Sequence, residues 1–164
     1  MNAKLIYLDS SSIIKRYIEE KGSEAVDTVY EKAESGKLNF AFSIWNVGEV
    51  LGTLDKYFSR KLLTEKEFKT ALTDFILESI KMARLDALQI LPITAKTLTE
   101  SWLMVLKHHI YEADALQIAA SKEANCNLFL TADKKLAKTA TKEGINSINI
   151  EETPEKTLTK LNQP

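Results

Sequence analysis

Four acidic residues in this sequence have the type and the setting needed for metal-ion chemistry. Each lies within or directly beside an apolar stretch, where a lone charge is unfavourable: Asp9, Glu49, Asp114 and Asp133. If the fold brings several carboxylates together, they repel one another, and the usual outcome is a raised pKa or a bound hard cation. Mg²⁺ or Mn²⁺ is the expected ion, because both prefer oxygen ligands, and such a site can activate water for attack on a phosphodiester bond.

Each of these acids also has a simpler structural interpretation. Asp9 and Asp133 both precede predicted helices, where Asp is a favoured N-cap. Glu49 taken alone is more often a solvated helix residue, and Asp114 can be half of a structural ion pair. Only the four residues together favour a shared site.

The elements that carry these acids are predicted to converge at one edge of a sheet. Asp9 directly follows the strand predicted for residues 4–8, and Asp133 lies two residues beyond the strand predicted for 127–131. In an open parallel sheet, ligands bind beyond the carboxyl ends of the strands. We therefore expect both carboxylates at the same edge, with Glu49 and Asp114 brought in on helices.

Strands and helices alternate along the whole chain. Helices are predicted from apolar residues at helical spacing, from Ser23 as an N-cap and from the capping-box pattern of Thr64 and Glu67. The remaining strands are predicted at 38–42, 88–91 and 145–150, and the remaining helices at 23–35, from Ser43, from Glu65, at 98–106, 111–124 and 134–143. Because no hairpin signal interrupts this order, the chain is predicted to be an α/β protein with a parallel sheet covered on both faces.

Length and composition are those of one globular domain over residues 1–164, with 45% hydrophobic and 27% charged residues. The formal charge of -1 excludes a global cationic field, so any contact with nucleic acid needs a local patch. Lys134, Lys138 and Lys142 recur every four residues and are either such a patch or a solvated helix face. With a single cysteine, Cys126, and too short an opening apolar run for a signal or membrane segment, a cytoplasmic location is expected.

The contexts of the four acids resemble the PIN-domain family, particularly the VapC toxins of prokaryotic toxin-antitoxin pairs. The resemblance covers nearly the whole chain. It rests on Asp9 followed by Ser10 and Ser11, on Glu49 within residues 43–50, on Asp114 within residues 111–120, and on Thr131-Ala132-Asp133. Many of the toxins carry an amide side chain where this chain has Ser11.

This resemblance implies a three-layer α/β/α fold with a central parallel sheet and Mg²⁺- or Mn²⁺-dependent cleavage of single-stranded RNA. It assigns catalysis and metal binding to the four acids, with Asp133 orienting the attacking water or a second metal. Ser11 and Thr131 would support the ligands. It also implies a homodimer and inhibition by a VapB-type antitoxin.

Two other functions are compatible with parts of the pattern. One is a catalytically idle PIN-like domain that binds a partner or a regulator; the retention of all four acids argues against it. The other is a phosphoryl-transfer domain with Asp9 as nucleophile. Such hydrolases generally carry a second Asp two residues later, where this chain has Ser11.

Overall fold

The computed structural model describes residues 4–162, with the side chain of Pro154 excepted. Its strands are β1 Leu5–Leu8, β2 Asn39–Ser43, β3 Leu88–Leu91, β4 Leu128–Thr131 and β5 Ser147–Asn149. Its helices are α1 Ser10–Ile13, α2 Ser23–Glu34, α3 Ile44–Ser59, α4 Glu65–Arg84, α5 Ala95–His108, α6 Glu112–Glu123, α7 Lys134–Lys142 and α8 Pro154–Asn162. A 3₁₀ turn, Ile14–Arg16, follows α1.

The five strands form one parallel sheet in the order β3-β2-β1-β4-β5. The central strand β1 is paired on both sides, with Tyr7 opposite Ala41 of β2 and Phe129 of β4. From β1 to β3 the chain moves outward on one side, and with β4 it returns to the other side of β1. The crevice beyond the ends of β1 and β4 is therefore the switch point at which open α/β sheets bind ligands.

Alternate residues of the strands enter two separate cores. Ile6, Leu8, Phe40 and Phe42 belong to a core with side chains of α1, α2, α3, α4 and α8. Tyr7, Ala41 and Phe129 belong to a second core with side chains of α5, α6 and α7. The helices therefore cover both faces of the sheet, and the predicted three-layer α/β/α fold with a central parallel sheet is confirmed.

Two predicted boundaries are wrong for identifiable reasons. The N-cap of α2 is Gly22, with φ of +95°, and Ser23 is instead the first residue of the helix, where its hydroxyl donates to the carbonyl of Lys15 at 2.7 Å. The last strand is shorter than predicted because the amide of Ile145 donates to the carbonyl of Ala140 and so closes the end of α7.

The face of α4 that packs on the core also differs from the expected apolar stripe. Phe75 and Met82 are buried, whereas Ile76 and Ile80, which have helical spacing from Phe68 and Leu72, are each 45% exposed. Helix α4 thus has a buried apolar face and a second, exposed one. Phe58 and Phe68 stack across the turn that joins α3 to α4, with ring centroids 4.9 Å apart, so these helices pack as the predicted pair.

Within residues 4–162, no helix combines the length and the apolar character required to span a bilayer.

Candidate active site at the carboxyl edge of the sheet

A cleft of about 360 Å³ opens at the carboxyl ends of β1 and β4, and all four candidate acids line it. Asp9 and Asp133 come from the residues that follow these strands, Glu49 from α3 and Asp114 from α6. The structure thus brings the four residues to one place, as their positions in the sequence suggested.

Asp9 is the most enclosed of these acids, with only 2% of its surface exposed. Its carboxylate accepts hydrogen bonds from the Ser11 hydroxyl, the Ser12 amide and the Thr131 hydroxyl at 2.8, 2.8 and 2.5 Å. Burial raises the pKa of Asp9 to about 6, although these donors act to lower it. The bond from Ser12 makes Asp9 the N-cap of α1, as the simpler interpretation of the sequence predicted. This role does not exclude a second one in the cleft.

Asp133 is exposed and also serves as a helix cap. Its Oδ1 accepts a hydrogen bond from the amide of Leu136 at 2.9 Å, and Asp133 is the N-cap of α7. Its own amide donates to the Thr131 hydroxyl at 2.9 Å. Thr131 therefore accepts from Asp133 while it donates to Asp9, and one buried hydroxyl connects both residues.

Glu49 is oriented by Ser10, the residue after Asp9. The Ser10 hydroxyl donates to Oε2 of Glu49 at 2.5 Å and accepts from Nδ2 of Asn46 at 2.8 Å. Since Asn46 lies one turn before Glu49 on α3, this chain of hydrogen bonds attaches the start of α3 to the start of α1. Glu49 is partly buried at the cleft wall.

Asp114 is the acid most affected by the other carboxylates. Its pKa is raised to about 6, mainly by burial and also by the charges of Asp133 and Glu49, while the charge of Lys135 opposes the rise. The acids of α3, α6 and the β4–α7 turn are therefore near enough to repel one another through the cleft. Protein cations do not fully neutralise this charge.

Two buried amide side chains, to which the sequence pattern alone gives no role, hold the site together. Nδ2 of Asn46 donates to Oε1 of Gln117 at 2.6 Å, and the same oxygen accepts from the amide of Ser10 at 3.2 Å. Oδ1 of Asn46 accepts from the Tyr7 hydroxyl at 2.7 Å. Asn46 is fully buried and Gln117 is 3% exposed. Both are uncharged polar residues within apolar helix faces, and this pattern could have identified them in the sequence, because buried polar groups must find hydrogen-bond partners.

The far wall of the cleft contains a buried lysine. Lys15, 3% exposed, pairs with Glu20 at 2.9 Å and with Glu151 at 2.6 Å, and Glu20 also accepts from the Tyr57 hydroxyl. Burial acts to lower the pKa of Lys15, but the hydrogen bonds to both glutamates outweigh it and the pKa is raised. Lys15 thus joins the 3₁₀ turn to the segment after β5 and is already paired.

The donor atoms of the cleft suit a hard cation, but its acidic side chains are not grouped around one ion position. Carboxylate and hydroxyl oxygens line it, and the repulsion at Asp114 is the electrostatic condition that a divalent ion relieves. However, within residues 4–162 no three His, Cys, Asp or Glu side chains are arranged to hold one ion. The residues fit Mg²⁺ or Mn²⁺ by donor type, since Mg²⁺ is commonly held by one or two carboxylates and waters.

Several solved structures share this fold. PAE2754 from Pyrobaculum aerophilum has a TM-score of 0.57 at 16% identity, with 98% of both chains covered. FitAcB from Neisseria gonorrhoeae has a TM-score of 0.57 at 18% identity, with 88% of this chain and 97% of that chain covered. VapC20 from Mycobacterium tuberculosis, described as a sarcin-ricin loop cleaving toxin, has a TM-score of 0.58 at 12% identity, with the same coverage.

A comparison with curated protein sequences gives no significant match. A comparison with protein families matches residues 6–142 to the PIN domain. This segment runs from β1 to the end of α7 and contains all four acids of the cleft. The chain therefore belongs to the PIN domain family.

Proposed function

We propose that the chain is a Mg²⁺- or Mn²⁺-dependent endoribonuclease that cleaves single-stranded RNA. The observation that carries the proposal is the cleft in which four carboxylates meet and in which Asp133 and Glu49 raise the pKa of Asp114. Membership of the PIN domain family supports it. A site with this surplus of negative charge binds phosphodiesters only when a cation intervenes.

In this proposal Asp9, Glu49 and Asp114 hold the ion, and Asp133 orients the attacking water or a second ion. The bound ion would supply activation of water and neutralisation of charge on the leaving oxygen. Ser11 and Thr131 donate to Asp9 and fix the orientation of its carboxylate. Gln117 and Asn46 fix α6 against α3, which sets the positions of Asp114 and Glu49.

We further propose that the chain is the toxin of a toxin-antitoxin pair, acts in the cytoplasm as a homodimer and is inhibited by a VapB-type antitoxin. The fold shared with VapC20 supports the toxin assignment. Exposed apolar side chains support protein contacts, because exposed apolar surface favours association. They include Ile44, Trp45, Leu51, Ile76, Leu77 and Ile80 on α3 and α4. Gel filtration with light scattering tests the dimer.

The decisive experiment is cleavage of a labelled mixed-sequence single-stranded RNA by the wild type and by Asp9→Asn. Each is assayed with Mg²⁺, with Mn²⁺ and with EDTA. We expect cutting by the wild type only with a divalent ion, and a loss of at least about 100-fold in Asp9→Asn. Asp55→Asn is the matched control, since Asp55 is exposed on α3 and does not line the cleft. Cutting that persists in EDTA would refute the metal-dependent mechanism.

One observation favours a second candidate, a catalytically idle domain that binds a partner. Asp9 and Asp133 already cap helices, a structural role that needs no ion. Calorimetric titration with Mn²⁺ distinguishes the candidates. A nuclease must bind the ion, and binding must weaken in Asp114→Asn; an idle domain shows neither binding nor cutting.

A further inference from the structure

A second depression lies beside the cleft, between the exposed face of α7 and the segment that leads into α8. This groove has a volume of about 190 Å³, and its basic residues are Lys134 and Lys138 of α7 and Lys156 of α8. The sequence alone suggested a patch of Lys134, Lys138 and Lys142; the groove contains the first two of these, and only the fold adds Lys156. The groove collects cations from two helices that are distant in the sequence.

The charge of this basic groove is opposite to that of the cleft. The groove contains the three lysines and one acid, Glu152. The cleft contains six acids and one lysine, Lys15, which is already paired with Glu20 and Glu151. A polyanion that reaches the cleft therefore needs attraction from a neighbouring surface, because the chain as a whole has a formal charge of -1.

The lysines of the groove are exposed and available for a ligand. Lys134 pairs with Glu152 at 2.5 Å, but both side chains are largely exposed, and such pairs exchange readily with solvent and ligands. In the described part of the chain, Lys138 and Lys156 form no ion pair. This distinguishes them from Lys15, whose charge holds the fold together.

The floor of the groove is polar and fixed. The Ser147 hydroxyl donates to the carbonyl of Ala137 at 2.6 Å, and Nδ2 of Asn149 donates to the carbonyl of Ala132 at 3.1 Å. These bonds attach β5 to α7 and to the turn that carries Asp133. A polar floor beneath lysines suits a sugar-phosphate chain better than the apolar face of a peptide helix.

The groove and the cleft are lined by neighbouring residues at two places in the chain. Asp133 and Leu136 line the cleft, while Lys134 and Lys138 line the groove, so the first turn of α7 separates the two. On the other wall the neighbours Glu151 and Glu152 face the cleft and the groove respectively. The cleft and the groove are therefore adjacent both along α7 and at residues 151 and 152.

We propose that the basic groove binds the phosphate backbone of the RNA strand next to the nucleotides held in the cleft. This inference rests on the ribonuclease function proposed above. Contacts to phosphates carry no base information, so the groove contributes affinity and register for any sequence. Lys134 and Lys138 are separated by about 6 Å of helix rise, which lets both follow one strand along α7.

The test measures RNA binding in EDTA, where cutting stops and the cleft holds no ion, so the binding measured is that of the groove. A wild type that cuts RNA with Mg²⁺ but does not bind it in EDTA would overturn the proposal. The probe is a fluorescein-labelled mixed-sequence single-stranded RNA, titrated at several salt concentrations with wild type, Lys138→Ala/Lys156→Ala and the control Lys32→Ala/Lys37→Ala. The control removes the same charge near the amino end of β2, at the opposite edge of the sheet. A parallel assay with Mg²⁺ measures kcat and KM.

We expect the groove variant to bind RNA roughly tenfold more weakly, with the salt dependence of log K reduced by about 1.4, which corresponds to two lost phosphate contacts on a single strand. KM should rise while kcat is kept, and the control should match the wild type. If the groove variant binds RNA as well as the wild type does, or if the control is weakened equally, RNA binding at the groove is refuted. The groove would then suit another ligand, such as an acidic peptide. A wild type that neither binds nor cuts RNA would instead refute the proposed function itself.

Discussion

The hydroxyl of Thr131 donates a hydrogen bond of 2.5 Å to Oδ2 of Asp9. Thr131 ends β4 and Asp9 follows β1, so this bond joins the two strands at the switch point of the sheet. The same oxygen of Thr131 accepts from the amide of Asp133. The position of the most buried acid of the cleft is thus coupled to the start of α7.

Thr131→Val should show what this coupling contributes. Asp9 loses a donor and the amide of Asp133 loses its acceptor, which should destabilise the protein by about 1 to 3 kcal/mol. Because the Thr131 bond lowers the pKa of Asp9, its loss should move that pKa above its present value of about 6. At subsaturating Mg²⁺ the acid limb of the rate profile should shift to higher pH. Thr157→Val, at a buried threonine whose hydroxyl donates to the carbonyl of Thr153 just before α8, should leave the limb in place.

Asp114→Asn should stabilise the metal-free protein at neutral pH. A folded pKa of about 6 lies above the ordinary value of 3.8 for an Asp carboxyl, so the folded state binds the proton more tightly. The contribution of this carboxyl to stability therefore falls as pH rises from about 4 to 6 and stays lost at pH 7. With screening at this partly buried site, we expect a gain of about 1 kcal/mol at pH 7, or a melting temperature higher by about 2 to 4 °C.

Thermal melts in EDTA at pH 7 and pH 4 test this prediction. The gain should vanish at pH 4, where the wild-type carboxyl is protonated, and Asp55→Asn should change stability by less than about 0.5 kcal/mol at both. A variant less stable than the wild type at pH 7 would show that Asp114 has a stabilising partner.

Asp133→Asn should separate the helix cap from the electrostatic effect. Asn caps helices as well as Asp does, so stability should change by less than about 0.5 kcal/mol. The pKa of Asp114 should fall, because the charge of Asp133 contributes to raising it. Carboxyl titration by NMR measures this shift. The control Glu152→Gln removes an exposed acid of the neighbouring groove and should leave the pKa of Asp114 unchanged. An unchanged pKa of Asp114 in Asp133→Asn would mean that Asp114 and Asp133 do not interact.

Gln117→Leu should damage activity by releasing α6 from α1 and α3. Nδ2 of Asn46 and the amide of Ser10 both lose their acceptor, at a cost of about 1 to 3 kcal/mol. Displacement of Asp114 and Glu49 should lower kcat by about 10- to 100-fold. Gln89→Leu, at an exposed position of β3, is the control. Steady-state kinetics that give a normal kcat would refute the positioning role.

The sequence by itself determined the architecture and the edge at which the acids meet. Alternating strand and helix patterns without hairpins leave a parallel sheet with two covered faces as the stable arrangement, because each apolar face must be buried. Asp9 and Asp133 follow strands, and parallel strands end at one edge, so their meeting required no further information. The motifs around the four acids led to the PIN domain family, which the family comparison confirms. The catalytic and metal-binding roles of those acids remain predictions.

The tertiary structure alone decided which polar residues support the cleft and which faces are buried. Helical periodicity identifies apolar stripes, but on α4 it did not distinguish the buried Phe75 from the exposed Ile76, because two adjacent stripes satisfy the same period. The bond between Asn46 and Gln117 and the meeting of Lys138 with Lys156 join residues far apart in the chain. Such contacts depend on how helices rotate and pack over the sheet, and side-chain packing in three dimensions fixes this where local sequence patterns do not.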